Sequence, residues 1–275
     1  MNWLVYIFYG FINGMGQVFP VSAGAHDFFL ELLTNFETDQ PWLQLSVDVA
    51  ALGALFLFFH HRITHIYREM RIASMAPSRR VRQPDLVAVL DGRVVLTMLL
   101  PAVLGLFLTG TITRRYESLP LVFLLLFVSS VVIYVPHFLQ GANRDSRHLS
   151  RLEAVVFGIL AGFSAFPGIS RVGMVISVGS ARGCGRRYLL DIVCLLLTLL
   201  LIMQVVIDLF AVIAVASALS GLHLLHCLLA AAASFGGTCF AIAAMRFLTV
   251  NRGYTAFSYY NLGLSIFGFI LYLMI

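Results

Sequence analysis

Apolar residues form runs along this chain that are long enough to cross a bilayer, and five of these runs are uninterrupted. A helix needs about 20 apolar residues to span the hydrocarbon core, and continuous rather than alternating apolar positions favour helices over a β-barrel. The predicted spans are 43–61, 94–113, 119–137, 189–216 and 254–275. A sixth span, 221–247, is rich in Ala and Gly, which is typical of a helix packed closely against another helix.

Two further apolar stretches are interrupted in the middle by proline, glycine and serine. They are residues 3–31 and 153–181, broken at "FPVSAGAH" and "FPGISRVG". Irregular backbone at membrane depth is tolerated only beside protein or a water-filled cavity. The two breaks are therefore predicted to line a site. Each stretch is predicted to be a re-entrant helix–loop–helix hairpin, and the alternative for 153–181 is two spans with no room for a loop between them.

The basic residues predict the orientation of these segments, because cytoplasmic loops are enriched in positive charge. All 18 basic residues are arginine, and 15 of them lie at 62–93, 144–151, 182–187, Arg246 and Arg252. Only Arg114 and Arg115 fall in a loop on the opposite side. With this orientation, 153–181 enters and leaves on the cytoplasmic side, and 3–31 dips in from the outside.

The two broken stretches resemble each other. Residues 10–22, "GFINGMGQVFPVS", and 158–170, "GILAGFSAFPGIS", both place Gly-x3-Gly ahead of Phe-Pro and Ser. Inverted repeats with broken helices that meet near the midplane are typical of transporters. The sequence therefore predicts one polytopic all-α membrane domain, 1–275, built from inverted repeat halves of about 1–140 and 141–275.

Composition agrees with an integral membrane protein. The chain is 60% hydrophobic and 11% charged, with a mean hydropathy of +0.93, whereas a soluble domain is about 25% charged. Met1 leads directly into apolar sequence, so no cleavable signal peptide is expected. The cysteines lack paired CxxC spacing and are predicted to be buried and reduced, with neither a disulfide nor zinc: Cys184, Cys194, Cys227 and Cys239.

Arg171, in the second break, is the strongest candidate for a functional residue. An arginine inside the membrane is costly and needs a partner or an anionic ligand. Ser170, Gly168 and Gly173 surround it. Hydroxyl and backbone N–H groups at the start of a half-helix are suited to phosphate. We therefore predict that these four residues bind phosphate.

Asp48 is a lone acid in the span 43–61, and three roles are open to it. It could be a metal ligand, a proton carrier or the buried partner of Arg171. Asp191 is a second candidate partner. An ion pair with either acid is the structural alternative to phosphate binding by Arg171.

His26 and Ser22 follow the first proline break. His26 is a candidate general acid or base, or a ligand of a phosphate oxygen, and the alternative is a structural histidine. Ser22 and Ser170 are candidate donors to phosphate, and the alternative is that each caps its half-helix.

At "FPVSAGAH" and "PGISRVGMVIS" the chain resembles the undecaprenyl-pyrophosphate phosphatase family. That family shows E-G-x-x-E-F-x-P-V-S-S-T-G-H early and P-G-x-S-R-S-G-x-x-x-S past the middle, and "PAVLGL" at 101–106 also matches. The resemblance covers nearly the whole chain, and Ser22, His26, Ser170 and Arg171 match. It implies hydrolysis of a polyprenyl pyrophosphate to the monophosphate, which recycles the lipid carrier of the cell envelope and peptidoglycan synthesis. It also implies a bacterial inner-membrane protein whose site opens to the outer face, with Mg²⁺ or Ca²⁺ as the cofactor.

Departures from the family pattern fall on its catalytic positions. Asn13 and Gln17 stand where the family has two glutamates, and Ala23 stands where it has the second serine, the proposed nucleophile. Asn and Gln supply no charge, whereas metal sites for phosphoryl chemistry usually rest on carboxylates. Asp48, at a position where the family commonly has glutamine, is therefore the candidate for a relocated acid and metal ligand.

Two functions remain open. In a metal-assisted phosphatase, Arg171 binds the phosphates, His26 transfers a proton, Asp48 holds the metal, and water or Ser22 attacks. In a catalytically inactive carrier or flippase, the same pocket binds or moves a lipid phosphate. A purely structural membrane partner would explain neither Arg171 nor His26. The expected partner is a polyprenyl phosphate or pyrophosphate lipid and not a nucleic acid, and the assembly could be a homodimer.

Overall fold

The computed structural model describes residues 3–34, 36–38, 40–80, 82–116, 118–138, 144–215, 221–251 and 254–274, without the side chains of 109–116, 221–222 and 250–251. Within these ranges the protein is helical and has no strand, which confirms the predicted all-α class. Arg252 and the side chains of Arg114 and Arg115, used above for orientation, lie outside the described residues. The helices are α1 (Trp3–Val18), α2 (Ala23–Thr34), α3 (Pro41–Ser74), α4 (Leu86–Tyr116), α5 (Leu119–Tyr134), α6 (Arg151–Gly162), α7 (Arg171–Ala181), α8 (Arg186–Val215), α9 (Gly221–Asn251) and α10 (Thr255–Met274), with 3-10 turns at Pro77–Arg79, Val135–Phe138 and Phe163–Ala165.

Six helical segments among the described residues are long and apolar enough to span a membrane, and each corresponds to one predicted span. They are Pro41–Ser74, Leu86–Leu108, Leu119–Phe138, Arg186–Val215, His223–Thr249 and Thr255–Met274. The multi-pass character of the protein is thereby confirmed. The first segment runs beyond the predicted end at residue 61. Its 34 residues make a helix of about 51 Å, longer than a hydrocarbon core of about 30 Å.

Both predicted breaks are present as interruptions of helix. Residues 19–22 separate α1 from α2, and residues 163–170 separate α6 from α7. Pro20 and Pro167 lie in these gaps, where they remove an N–H donor and disfavour helix at the residue before them. The return of each hairpin to the membrane side from which it entered, and the exact repeat halves, stay predictions.

The two broken segments pack reciprocally. Gly10 and Gly14 of α1 lie against the backbone of α9, where a Cβ atom on either glycine would collide with it. Gly158 and Gly162 of α6 lie against the backbone of α4 in the same way. Each Gly-x3-Gly pattern is therefore a close helix contact. The broken helix of each half thus packs against an unbroken helix of the other half, which supports the inverted repeat. The small residues of α9 take part in the close helix packing that was predicted for this span.

Helices α3 and α8 run side by side through the main core. Arg62 on α3 donates through Nη1 to Asp191 on α8, and through Nη2 to Asp91 on α4 at 3.0 Å. Asp191 is therefore the partner of Arg62 and not of Arg171. Three of the four cysteines, Cys184, Cys194 and Cys227, are buried as predicted, and Cys239 is partly buried.

Candidate functional site

Ser22 and Ser170 occupy equivalent positions at the starts of α2 and α7. Ser22 Oγ accepts the backbone N–H of Ala25 at 3.3 Å, and Ser170 Oγ accepts that of Gly173 at 3.0 Å. Both bonds satisfy an N–H of the first helical turn that has no partner within the helix. The capping alternative thus describes both serines in this structure.

One hydrogen bond joins the two breaks to each other. Ser22 Oγ also accepts the backbone N–H of Gly168, at 2.8 Å. Gly168 has a φ of +102°, a backbone conformation that favours glycine. The N–H groups of Gly168 and Gly173, predicted to bind phosphate, are thus both bonded to serine hydroxyls. They would have to give up these bonds to bind an anion.

Arg171 is the first residue of α7 and is anchored through one edge of its guanidinium. Its Nε donates to Ser164 Oγ at 2.8 Å, and that hydroxyl donates to the carbonyl of Ala161 at 2.6 Å. Within the described ranges, Nη1 and Nη2 have no hydrogen bond, and Arg171 forms no ion pair. The two terminal nitrogens are therefore oriented but unengaged, and a guanidinium fork matches two oxygens of a phosphate.

Asp48 on α3 faces a second acid, Asp208 on α8. Both residues are buried, and their side chains are within hydrogen-bonding reach of each other. Gln204 Nε2 donates to Asp208 Oδ1 at 2.9 Å. Arg171 is close enough to attract Asp48 electrostatically, although the two form no ion pair. The structure therefore brings Asp48 toward Arg171 and adds an acid that was not predicted.

Sequence reasoning missed Asp208, Ser164 and Tyr260. Asp208 could have been predicted from the sequence, because it interrupts the apolar run "LIMQVVIDLFAVIAV". A charged residue inside a membrane span indicates a functional site, which was also the reason for selecting Arg171. Ser164 and Tyr260 had no such signal. Their importance depends on which distant side chains the fold brings to them.

His26 is held at both ring nitrogens. Its Nδ1 lies 2.6 Å from the carbonyl oxygen of Ser22, and its Nε2 lies 2.6 Å from the hydroxyl of Tyr260. A carbonyl only accepts, so Nδ1 carries hydrogen, and in the neutral ring Nε2 accepts from Tyr260. These bonds orient the imidazole beside the first break. Because Nε2 bonds to the Tyr260 hydroxyl, a proton reaches Nε2 through Tyr260.

Asn13 and Gln17, which the resemblance aligns with two glutamates, form a neutral pair. Gln17 Nε2 donates to Asn13 Oδ1 at 3.4 Å, and Asn13 is buried. Ala23, at the serine position, is the first residue of α2 and has no hydroxyl. None of these three side chains supplies charge or a nucleophile.

The described residues contain no group of three His, Cys, Asp or Glu side chains that could hold a metal ion. A metal at Asp48 would thus have two protein carboxylates at most. Asp208 fits that need, because its Oδ2 is buried and has no hydrogen-bond donor in the described part of the chain. Mg²⁺ is commonly held by one or two carboxylates together with water and substrate phosphates, so these residues fit a hard divalent cation.

A cavity of about 580 Å³ lies elsewhere, between α3, α4 and α8. Its lining is mainly apolar, with Phe56, Met70 and Leu199 among the residues and Arg71 as its charged group. It contains none of the predicted site residues. The candidate site is therefore the region around the two breaks.

Comparison with known proteins gives a match across both breaks. The family model described as "Bacitracin resistance protein BacA" matches residues 6–267. Similar proteins include an undecaprenyl-diphosphatase of Idiomarina loihiensis, 24% identical over 187 residues that cover 68% of each chain. Another, of Methanosphaera stadtmanae, is 23% identical over 66% of this chain and 68% of that one. A third, of Marinobacter nauticus, is 27% identical over 66% of each. Because the family match spans almost the whole sequence, this chain belongs to the BacA family of bacitracin resistance proteins.

Proposed function

We propose that the protein hydrolyses a polyprenyl pyrophosphate of the undecaprenyl type to its monophosphate. The observation that carries the proposal is the guanidinium of Arg171, held by Ser164 at the start of α7, whose two Nη groups bond to none of the described residues. Membership of the BacA family and the name of the similar proteins, undecaprenyl-diphosphatase, support the same substrate class.

Arg171 is the group that binds and neutralises the phosphates. Phosphoryl transfer depends mainly on positioning and on stabilising charge at the phosphate oxygens, and a fixed fork with two free nitrogens serves both needs. Its link to Ser164 keeps the guanidinium in place before substrate binds. Ser170 and Gly173 support this arrangement by capping α7.

Water is the nucleophile in this proposal. It attacks the terminal phosphorus, the bond to the bridging oxygen breaks, and the lipid monophosphate leaves as inorganic phosphate is released. Ser22 is a poor nucleophile here because its Oγ is buried and accepts two backbone N–H groups. The proton of the attacking water passes to the Tyr260 hydroxyl, which gives its own proton to Nε2 of His26, the ring that the Ser22 carbonyl orients.

Asp48 is the proposed ligand of a divalent cation, Mg²⁺ or Ca²⁺. Such an ion, when bound, would neutralise phosphate charge and lower the pKa of water. The proposed location is the bacterial inner membrane, with the site facing outward, which the arginine-rich loops support. A homodimer and the absence of a nucleic-acid partner stay expectations.

A second candidate function rests on a specific observation. Asn13 and Gln17 bond to each other as a neutral pair where the family has glutamates. A protein that has lost these acids and kept Arg171 is also suited to binding or flipping a lipid phosphate without cleaving it. In that case the same pocket binds the lipid phosphate, and the pyrophosphate bond is not hydrolysed.

Phosphate release from farnesyl or undecaprenyl pyrophosphate separates the two functions. We expect purified protein with Mg²⁺ or Ca²⁺ to release phosphate, Arg171→Ala to lose the activity, and the exposed control Arg68→Ala to keep it. Wild-type release no greater than that of Arg171→Ala would exclude the enzyme. Bound lipid that native mass spectrometry detects in the wild type and not in Arg171→Ala would then support the carrier.

A further inference from the structure

A second cavity, of about 550 Å³, lies between α4, α6 and the loop that leads into α6. It is at the opposite end of α6 from the second break. Arg93 of α4, Arg151 of α6 and Ser146 of the loop line it, and none of the residues placed in the candidate site does. We call it the interfacial pocket, because Arg93 lies immediately before the predicted span 94–113.

The interfacial pocket carries positive charge that the described residues do not neutralise. Arg93 and Arg151 are exposed, and neither guanidinium has a hydrogen bond or an ion pair within the described ranges. The acids closest to the pocket in sequence have partners of their own: Asp91 pairs with Arg62, Glu153 with Arg144 and Arg182, and Asp145 with His148. Two guanidiniums therefore remain for an anion from outside the chain.

Ser146 adds a hydroxyl donor at the same pocket. The residue is only 4% exposed, and its Oγ is buried without a hydrogen-bond partner among the described residues. The hydroxyl of Tyr188 lies near it and is also buried without a partner, so the two hydroxyls do not satisfy each other. A buried hydroxyl without a partner is costly. Its position at a pocket lined by two arginines indicates a ligand that accepts a hydrogen bond.

The chemistry of the walls fits a phosphate group attached to apolar chains. A guanidinium fork matches two phosphate oxygens, and the positive end of the α6 dipole lies at this pocket, since α6 begins at Arg151. Val94, Leu96 and Leu149 contribute apolar surface beside these donors. Basic pockets between helices at the membrane surface typically bind lipid head groups.

We propose that the interfacial pocket binds the phosphate group of an anionic phospholipid. Arg93 and Arg151 hold its oxygens from two helices of different predicted halves, and Ser146 donates its hydroxyl to the same group. The lipid thereby joins α4 to α6 where the arginine-rich segments 62–93 and 144–151 meet, on the side predicted to be cytoplasmic. A zwitterionic lipid is disfavoured, because its ammonium group would approach two guanidiniums. The site does not depend on Arg171 or on hydrolysis.

Binding can be measured in a protein whose candidate site has lost its phosphate-binding group. We would titrate full-length Arg171→Ala protein in detergent with phosphatidylglycerol, phosphatidylcholine or inorganic phosphate and count bound molecules by native mass spectrometry. We expect one phosphatidylglycerol to bind in preference to phosphatidylcholine. Adding Arg93→Gln and Arg151→Gln together should weaken it about tenfold or more.

The matched control removes the same charge elsewhere. Arg68→Gln with Arg79→Gln changes two exposed arginines that line neither cavity, and it should leave phosphatidylglycerol binding unchanged. Ser146→Ala should weaken binding without lowering the unfolding midpoint, because its hydroxyl bonds to none of the described residues. A serine with a purely structural role would show the reverse.

Three results would overturn the proposal. They are equal binding of the two lipids, phosphatidylglycerol binding that survives the loss of both pocket arginines, and inorganic phosphate that binds as tightly as the lipid. If the double variant does not fold, Ser146→Ala decides: weaker phosphatidylglycerol binding at an unchanged midpoint supports the site, and unchanged binding overturns it. With Arg171 intact, the pocket variants should release phosphate at the wild-type rate, so this site and the proposed hydrolysis can fail separately.

Discussion

The hydroxyl of Ser22 accepts the backbone N–H of Gly168 at 2.8 Å across 146 positions of sequence. The same oxygen caps α2 through Ala25. One buried side chain therefore fixes the start of a half-helix and its position relative to the opposite break. This contact therefore holds the two breaks of the candidate site together.

Replacing Ser22 by alanine should destabilise the protein. The change removes a helix cap, worth about 0.5–2 kcal/mol, and leaves the buried N–H of Gly168 unsatisfied, which costs about 1–3 kcal/mol. We expect a lower thermal unfolding midpoint in detergent and weaker binding of lipid pyrophosphate. Ser46→Ala, which removes a hydroxyl that donates to the carbonyl of Leu43 within α3, is the control. Equal midpoints for the two variants would contradict the linking role of Ser22.

Gly168→Ala should be much more harmful than alanine at an open glycine. Its positive φ is strained for alanine, and the new Cβ would lie 2.9 Å from the Cβ of Leu125. Gly263, in α10, has nothing within 4 Å of such a Cβ, and Gly→Ala inside a helix is favourable by about 0.8–1 kcal/mol. The unfolding midpoint should thus fall for the first variant and stay level or rise for the second.

Arg171→Lys should retain only part of the activity. Lysine keeps the charge and loses both the fork and the Nε bond to Ser164. We expect Arg171→Ala to lower the rate of phosphate release about 10²–10³-fold and Arg171→Lys to lie between it and the wild type. Ser164→Ala should reduce release less than either, because the guanidinium keeps its charge and loses only its anchor. If Ser164→Ala lowered the rate of phosphate release as much as Arg171→Ala does, the Ser164 hydroxyl would do more than position the guanidinium.

Glu153 should make stability depend on acidic pH. It lies in the first turn of α6, outside the six spans. Burial acts to raise its pKa, but the Ser150 N–H and the guanidiniums of Arg144 and Arg182 outweigh burial and hold the pKa at about 2, below the ordinary 4.5. Its contribution to stability is therefore complete above pH 4.5 and is lost as the pH falls toward 2.

Melting curves of the wild type and of Glu153→Gln test this dependence. The wild type should be the more stable at pH 7, and the difference between the two proteins should shrink as the pH falls below about 4.5. Asp85→Asn, at a half-exposed acid, is the control for a general charge effect. A difference that stays constant from pH 7 to about pH 3 would contradict the role of Glu153.

Local sequence was enough for the spans and for both breaks, because a long apolar run and a proline each act on their own segment. It also made Arg171 a candidate, since a charge inside the membrane stands out without knowledge of its neighbours, and the role of Arg171 stays a prediction. Asp208 was missed although it obeys the same rule, because its meaning depends on Asp48, which only the packing of α3 on α8 brings to it. The hydrogen bond from the Gly168 N–H to Ser22 could not be predicted from local sequence either, because it joins the two halves of the chain.

The reciprocal packing of α1 on α9 has a consequence for synthesis. Thr238 donates its hydroxyl to the carbonyl of Gly14 at 3.0 Å, and 224 positions separate the two residues. During synthesis α1 thus waits for α9, which follows much later in the chain, before its glycine face is covered, and contacts so distant form late. A product that stops before α9 therefore carries every residue of the first break and lacks the helix that covers the glycines of α1.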